Sequence, residues 1–493
     1  MNNRKIAIAI VILIGASVAR IWQVPQLFYF GIDEEYQATI AWSIVKNFHL
    51  IWIGINSSIG FYLGPAFTYL NALLFYISKG DPAILGYFSS VVGISTTVSI
   101  IYISKKLYNT KAALTAGILY GFSAFIVFFD RRFWNPMPIP LISLWLYFSL
   151  VKALKNTRWL IVSISLMGLV YHLHLSLLIY WPFIIYIIIK RLNKIEIKTW
   201  ILAIGLFLFL IFPLIVFDVN NNFIDTLMPL KFLMGTSVPG RSYSFAVIPH
   251  LEDLIIAYGQ LWNIQKIPNV FHFPGFWAEV FQNIPILVAS FLSFFLFLRT
   301  MFSKKNTPMR LLLIIISLFS VGYIFFPGWI FKFYLVGCYP LIILIISRYG
   351  SNYLKPKILG GILVVFISVN LFSLFTTSTS RGLTAKKNIV QSTINELGND
   401  TYELTCMDCG WGYLGGWRYL FKTYGKTPNR SKIDKLFSRF YPEEISPIDP
   451  KKSIIIVDAN SDIPDSLKKL QPTAQFGAYK TYILDYKSPY LKD

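Results

Sequence analysis

Three carboxylates in succession, Asp33, Glu34 and Glu35, followed by Tyr36, stand shortly after the first apolar run of this sequence. A carboxylate beside a membrane surface could serve as general base towards a hydroxyl. The same residues could also be a plain acidic loop. A second cluster is Asp130-Arg131-Arg132-Phe133-Trp134-Asn135-Pro136, a very short connection between two apolar runs. Its two guanidinium groups could bind phosphate oxygens bidentately, contact lipid headgroups, or pair with Asp130. His172 and His174 flank Leu173 in the middle of a long apolar run. Alternate residues of a helix point to different sides, so the pair reads better as a polar wall than as metal ligands, although zinc remains conceivable. Lys332-Phe333-Tyr334 sits at another apolar boundary, where the lysine could meet an anion or simply snorkel. Residues 410–419 (GWGYLGGWRY) could bind carbohydrate or form a turn-rich core, and Cys406 and Cys409 make a lone CxxC.

The elements that hold these groups are dictated by composition. Of 493 residues, 55% are hydrophobic and only 14% charged, more apolar surface than a soluble core of this size can bury. Runs near the roughly 20 residues needed to cross a bilayer predict eleven spans. They cover Ile6 to Val24, Ile84 to Ser104, Ala112 to Phe129, Pro136 to Val151, Trp159 to Tyr171, Leu175 to Ile189, Trp200 to Phe217, Ile284 to Leu298, Leu311 to Phe326, Phe333 to Ile346 and Ile358 to Phe375. A secretory signal ending near Ala19 is the other reading of the first run, but the run continues past Arg20.

Two decisions set the side of every later loop. Phe61 to Ile77 is apolar but carries Gly64, Pro65 and Asn71, and is assigned to the interface. The run from Trp159 to Ile189 would be about 46 Å long as one helix, and is divided into two spans at His172, His174 and Ser176. The positive-inside rule favours both choices. With them, the inner segments hold 19 cations against one acid, Glu196, whereas the outer loops before the tail hold 8 cations and 10 acids. The net charge of +21 is then mostly topogenic and calls for no nucleic-acid partner. The expected architecture is an all-α polytopic membrane bundle over 1–375, N-terminus in and C-terminus out. Its outer loops are 25–83 and 218–283, and a small extracytoplasmic α/β domain occupies 376–493. Tyr36 to Phe48 reads as an interfacial helix. Lys386 to Leu397 reads as a helix, and Ser453 to Ala459 and Lys480 to Tyr486 read as strands.

All the polar clusters then fall on one face. The acidic residues after the first span, the Gly64-Pro65 at an interfacial helix, the arginine-rich Trp-Asn-Pro loop after the third span, and the Lys-x-Tyr before a span containing Pro340 resemble the GT-C glycosyltransferases. The likeness is nearest to the protein O-mannosyltransferase and aminoarabinose-transferase superfamily. The resemblance implies a multi-span enzyme of the plasma membrane. It would move a sugar, a hexose such as mannose or a pentose, from a polyprenyl-phosphate donor to a hydroxyl acceptor on the outer face, with inversion. The acceptor could be protein, lipid or glycan. It further implies that Asp33 is the base and Glu34 its neighbour that orients the acceptor. Arg131, Arg132 and Lys332 would hold the donor phosphate with Asn135 and Tyr334 nearby, and His172 and His174 would stand near the lipid entrance. Relatives often carry an aspartate where Asn135 stands, which concentrates the catalytic burden on Asp33. No cofactor is implied, and a divalent metal is possible but not indicated. A transporter or flippase for a lipid-linked sugar, and a non-catalytic subunit of a glycan assembly complex, are the rival readings. Transporters usually place polar sites near the midplane rather than at one surface.

Overall fold

The computed structural model describes residues 3–57, 60–235, 246–259, 307–328, 332–407, 415–431, 448–458 and 463–488, with residues 261 and 295. The bundle begins with α1 (Asn3–Ile21), a short α2 (Val24–Leu27), α3 (Ile32–Lys46) and α4 (Ala66–Ser78). It continues through α5 (Ala83–Leu107), α6 (Thr110–Phe122), α7 (Ala124–Asp130), α8 (Ile139–Ala153), α9 (Trp159–Leu173), α10 (Trp181–Arg191) and α11 (Ile197–Asn220). Next come α12 (Ile224–Leu233), α13 (Val247–Gly259), α14 (Thr307–Ile324), α15 (Tyr339–Tyr353) and α16 (Pro356–Thr376).

Five helical segments are long and apolar enough to cross a membrane, or six if α6 and α7, bent by 64° at their junction, count as one; this holds among the described residues. The count falls short of eleven because α8, α9 and α15 have 15 residues each, about 22 Å at 1.5 Å per residue, and α1, though 19 residues long, carries Arg4, Lys5 and Arg20. The expected span from Ile284 to Leu298 lies, except for residue 295, outside the described residues. Among the described residues, helix α11 turns Ile201, Leu202, Phe209 and Phe212 outward, an apolar surface of the kind that lipid covers.

The run from Trp159 to Ile189 folds back on itself. His174 adopts an extended backbone after α9, and a 3-10 turn, Leu175–Tyr180, leads into α10. The two ends of the run then meet, with Thr157 Oγ1 donating to the Lys194 carbonyl (3.1 Å) and Arg158 paired with Glu196 (3.0 Å). Helix α4, by contrast, keeps both ends at one end of the bundle. Its first residue, Ala66, bonds to His172 beside α9's C-terminus, and Gly80 just past its last residue accepts from Tyr419 of the tail. A 13-residue helix so placed is no span. Gly64 makes the first contact possible, since a Cβ there would sit 2.2 Å from His172 Nδ1.

The tail holds α17 (Leu383–Leu397), α18 (Trp417–Tyr424) and five strands: β1 (Tyr402–Met407), β2 (Arg430–Ser431), β3 (Lys452–Asp458), β4 (Ala474–Phe476) and β5 (Tyr479–Asp485). Their order is β2-β1-β3-β5-β4, with β2, β1 and β3 parallel and the β3–β5 and β5–β4 pairs antiparallel. The central strand β3 is a continuous run of Ile454, Ile455, Ile456 and Val457, buried on both faces, as parallel strands covered by helices usually are. Cys406 is disulfide-bonded and Cys338 is free and buried.

The contacts define two ends. Asp33, Arg132 and the tail share one, and the cationic termini of α5, α9 and α10 share the other. Cysteines introduced at the exposed Asn47 and Thr427 are therefore expected to react with a membrane-impermeant thiol reagent from one side of the membrane, and those at the exposed Asn156 and Lys357 only from the other. Labelling of all four from one side would overturn this arrangement.

Candidate active site

Helix α3 opens at Gly31, whose N–H donates to Glu34 Oε2 at 3.1 Å, so the side chain reaches back to cap its own helix. Three acids in the first turn suit the positive end of the helix dipole. Their fates then diverge. Glu34 is buried and pairs with Arg132, Nε to Oε1 at 3.4 Å. Glu35 is also buried and accepts from the N–H groups of Gly416 and Tyr419, both at 3.0 Å, at the start of α18. Asp33 alone is exposed.

Protein packed around this turn shifts both of the first two carboxyls. Desolvation raises Glu34, with Arg132 opposing it, and desolvation likewise raises Asp33 against the pull of the same guanidinium. An accessible carboxylate with a raised pKa is a better base at neutral pH than an ordinary one. Arg132 is held firmly: its guanidinium lies 3.9 Å from the Trp134 ring centroid and 5.4 Å from that of Tyr29, and Ser89 Oγ donates to its carbonyl at 2.7 Å. A pre-organised, poorly hydrated cation of this kind is suited to an anionic group.

Arg131 goes elsewhere. It is buried, donating from Nε to the Arg20 carbonyl at 3.2 Å and from Nη2 to the Ala19 carbonyl, so it caps the C-terminus of α1. Beneath it, Arg20 and Asp130 form a buried ion pair at 2.8 Å. The two arginines of one loop therefore part, and only Arg132 joins the acidic turn.

Asn135 is buried in a polar chain. Thr68 Oγ1 donates to Gln37 Oε1 (3.0 Å), Gln37 Nε2 donates to Asn135 Oδ1 (2.8 Å), and Asn135 Nδ2 reaches the His172 carbonyl (3.4 Å). Both ring nitrogens of His172 are engaged. Nδ1 accepts from Ala66 N–H at 3.1 Å, so Nε2 carries the proton and donates to the Leu210 carbonyl at 2.8 Å. His172 thus ties α4, α9 and α11 together. His174 turns the other way, its Nδ1 accepting from Ser176 N–H, and its ring lies 4.7 Å from Tyr334 and 5.8 Å from Phe333. Phe333 in turn packs at 4.5 Å on Trp134, which links this aromatic group back to Arg132. Lys332 opens the 3-10 turn that carries these rings, and its side chain lies outside the described residues.

Asp33, Glu34, Arg132, Asn135, His172, His174 and Tyr334 thus form one neighbourhood, with Asp33, Glu34 and Arg132 as its charged members. Sequence reasoning missed Gln37, Thr68 and the role of the Trp134 indole, whose buried Nε1–H has no hydrogen-bond partner among the described residues. A tryptophan next to an arginine between two spans was the available signal for the last.

If Asp33 is the base, it must be ionised, and a raised pKa puts the acid limb of the pH–rate profile above the ordinary carboxylate range near 4. Arg132 lowers that pKa, so Arg132→Gln is expected to move the limb to higher pH. The pH dependence of kcat/KM checks this. A limb that stays in place, or moves down, would separate the two residues.

No protein-family model and no curated protein matches the sequence. Solved structures do match. ArnT from Cupriavidus metallidurans, crystallised with undecaprenyl phosphate, aligns over 97% of both chains with a TM-score of 0.58 at 11% identity. The apo oligosaccharyltransferase of Archaeoglobus fulgidus aligns over 93% of this chain and 70% of its own with a TM-score of 0.53 at 10% identity. At such identities the likeness is one of fold, and it runs through the bundle and the tail alike. The chain has the fold of ArnT and of the archaeal oligosaccharyltransferase.

Proposed function

We propose that this protein is a membrane glycosyltransferase that moves a sugar from a polyprenyl-phosphate donor to a hydroxyl acceptor. The acceptor oxygen attacks the anomeric carbon as Asp33 takes its proton. The bond from that carbon to the phosphate oxygen breaks with its electron pair, and polyprenyl phosphate leaves. A phosphate leaving group needs no protonation, so one base and a cation suffice, unlike the paired carboxylates of a hydrolase. Attack opposite the leaving group inverts the anomeric centre.

The observation that carries this reading is an exposed carboxylate, Asp33, within the electrostatic reach of a ring-packed guanidinium, Arg132, at one end of the bundle. Glu34 positions that guanidinium rather than the acceptor, on the evidence of its ion pair. ArnT binds a polyprenyl phosphate, and the same class of donor is assigned here by analogy of fold. The eleven-span topology, the outer face of a plasma membrane as the place of reaction, and a hexose or pentose as the sugar complete the proposal. A disulfide at Cys406 is in keeping with an oxidising exterior for the tail. Neither nucleic acid nor a cofactor has a role in it.

Membranes containing the protein, incubated with polyprenyl phosphates bearing labelled sugars, are expected to transfer label to a hydroxyl acceptor. Absence of transfer from every donor of the panel, by protein shown to be folded, would overturn the proposal.

A further inference from the structure

The tail domain is joined to the acidic turn by more than covalent continuity. Glu35, two residues from Asp33, lies at the N-terminus of α18, where its carboxylate receives two backbone N–H bonds and the favourable end of that helix dipole. From the other side Lys386 of α17, fully buried, donates to the Phe30 carbonyl at 2.9 Å and to the Gly415 carbonyl at 2.6 Å. Its ammonium also lies over the Trp417 ring at 4.8 Å. The approach is tight because Gly416, at φ +95°, brings its backbone against Phe30 in a conformation that a side chain would strain.

Weaker ties surround this centre. Tyr419 Oη donates to the Gly80 carbonyl at 2.8 Å, Tyr424 Oη donates to Asp81 at 2.8 Å, and the Tyr419 ring stacks on Phe75 of α4 at 5.6 Å. Leu383 N–H donates to the Phe28 carbonyl at 3.0 Å. The chain on either side of Asp33, from Phe28 through Glu35, is thus gripped by the tail, while Asp33 itself remains open.

We propose that Glu35 and Lys386 are positioning residues for the transfer reaction, clamping the tail domain onto the first turn of α3 and so fixing the carboxylate of Asp33. The proposal rests on the reading of Asp33 as the base. The two residues act as a unit: burial pushes the Lys386 ammonium down to about 7, the Glu35 carboxylate opposes that, and removing either weakens the grip of the other. Neither touches the reacting atoms.

The test uses the full-length protein in proteoliposomes with a polyprenyl-phosphate donor, and compares Asp33→Asn, Glu35→Gln, Lys386→Met and the double variant. Rates are normalised to the folded fraction. Glu35→Gln and Lys386→Met are each expected to lower kcat about tenfold or more with donor KM changed less than twofold, and the double variant to lose little beyond either single one. A role confined to holding the tail folded would reduce the folded fraction and leave kcat per folded molecule unchanged, which would overturn the proposal. Should either variant fail to fold, Tyr419→Phe and Tyr424→Phe remove single peripheral bonds, and each is expected to lower kcat about threefold at constant KM. Wild-type kcat in both would count against the clamp. If Asp33→Asn itself retains activity, the assignment of the base has failed; if it is inactive while the clamp variants match wild type, only the clamp has failed.

Discussion

Asp33→Asn is expected to lower the transfer rate by ~10²- to 10⁴-fold, the usual contribution of a positioned general base, while the protein still inserts and folds. The side chain is exposed, and asparagine matches its shape, so neither packing nor the cap of α3 at Gly31, which Glu34 provides, depends on its charge. Glu34→Gln acts through another route. It removes the Glu34 carboxylate from the Arg132 guanidinium, and so it alters donor binding before it alters proton transfer. Activity retained in Asp33→Asn but lost in Glu34→Gln would exchange the roles assigned to the two residues.

The second large effect is on stability. Arg20 and Asp130 are buried, with side chains 0% and 3% exposed, and Arg20 also donates to the carbonyls of Gly121 (2.8 Å) and Tyr120 (3.2 Å). Removing one partner of a buried pair strands a charge in a poorly polar surrounding, a loss of about 3–5 kcal/mol. Asp130→Ala should therefore lower the unfolding temperature in detergent sharply. The double variant Arg20→Leu with Asp130→Leu should be destabilised less than the sum of its parts, because no orphan charge remains. Additive losses would show that the pair is not coupled. The pair lies at the junction of α1 with α6 and α7, so the loop that delivers Arg132 depends on it.

Much of this was legible in the sequence at the level of pattern. Apolar length and the placement of cations led to a helical bundle, and the His-rich break in the run after Trp159 marked a real reversal. The isoleucine run of β3 and the helix at Lys386 were visible from local periodicity. What local pattern could not supply was the division of labour among like residues. Asp33, Glu34 and Glu35 are chemically near-equivalent in sequence. They are separated only by partners far away in the chain, Arg132 for one and Gly416 and Tyr419 for another. Arg131 and Arg132 diverge for the same reason, one bonding to the carbonyls at the end of α1 and one to Glu34. His172, which the resemblance placed near a lipid entrance, serves to join three helices, because a glycine at position 64 lets the backbone approach its ring.

The span count shows a different gap. Hydropathy registers how apolar a segment is, whereas the number of long helices depends on where helices break. Helices α8 and α9 are too short to cross about 30 Å alone and are extended only by the turns at their ends.

Transfer requires that the bond between the sugar and the polyprenyl phosphate be broken. The most direct measurement reconstitutes the purified protein in liposomes with a polyprenyl phosphate carrying a doubly labelled headgroup, ³²P on the phosphate and ¹⁴C on the sugar, and supplies hydroxyl acceptors. The two labels are expected to separate, ¹⁴C passing to the acceptor with inverted anomeric configuration and ³²P remaining on the lipid, and Asp33→Asn is expected to abolish the separation. Movement of both labels together across the bilayer, with the sugar–phosphate bond intact, would contradict it and identify a transporter instead.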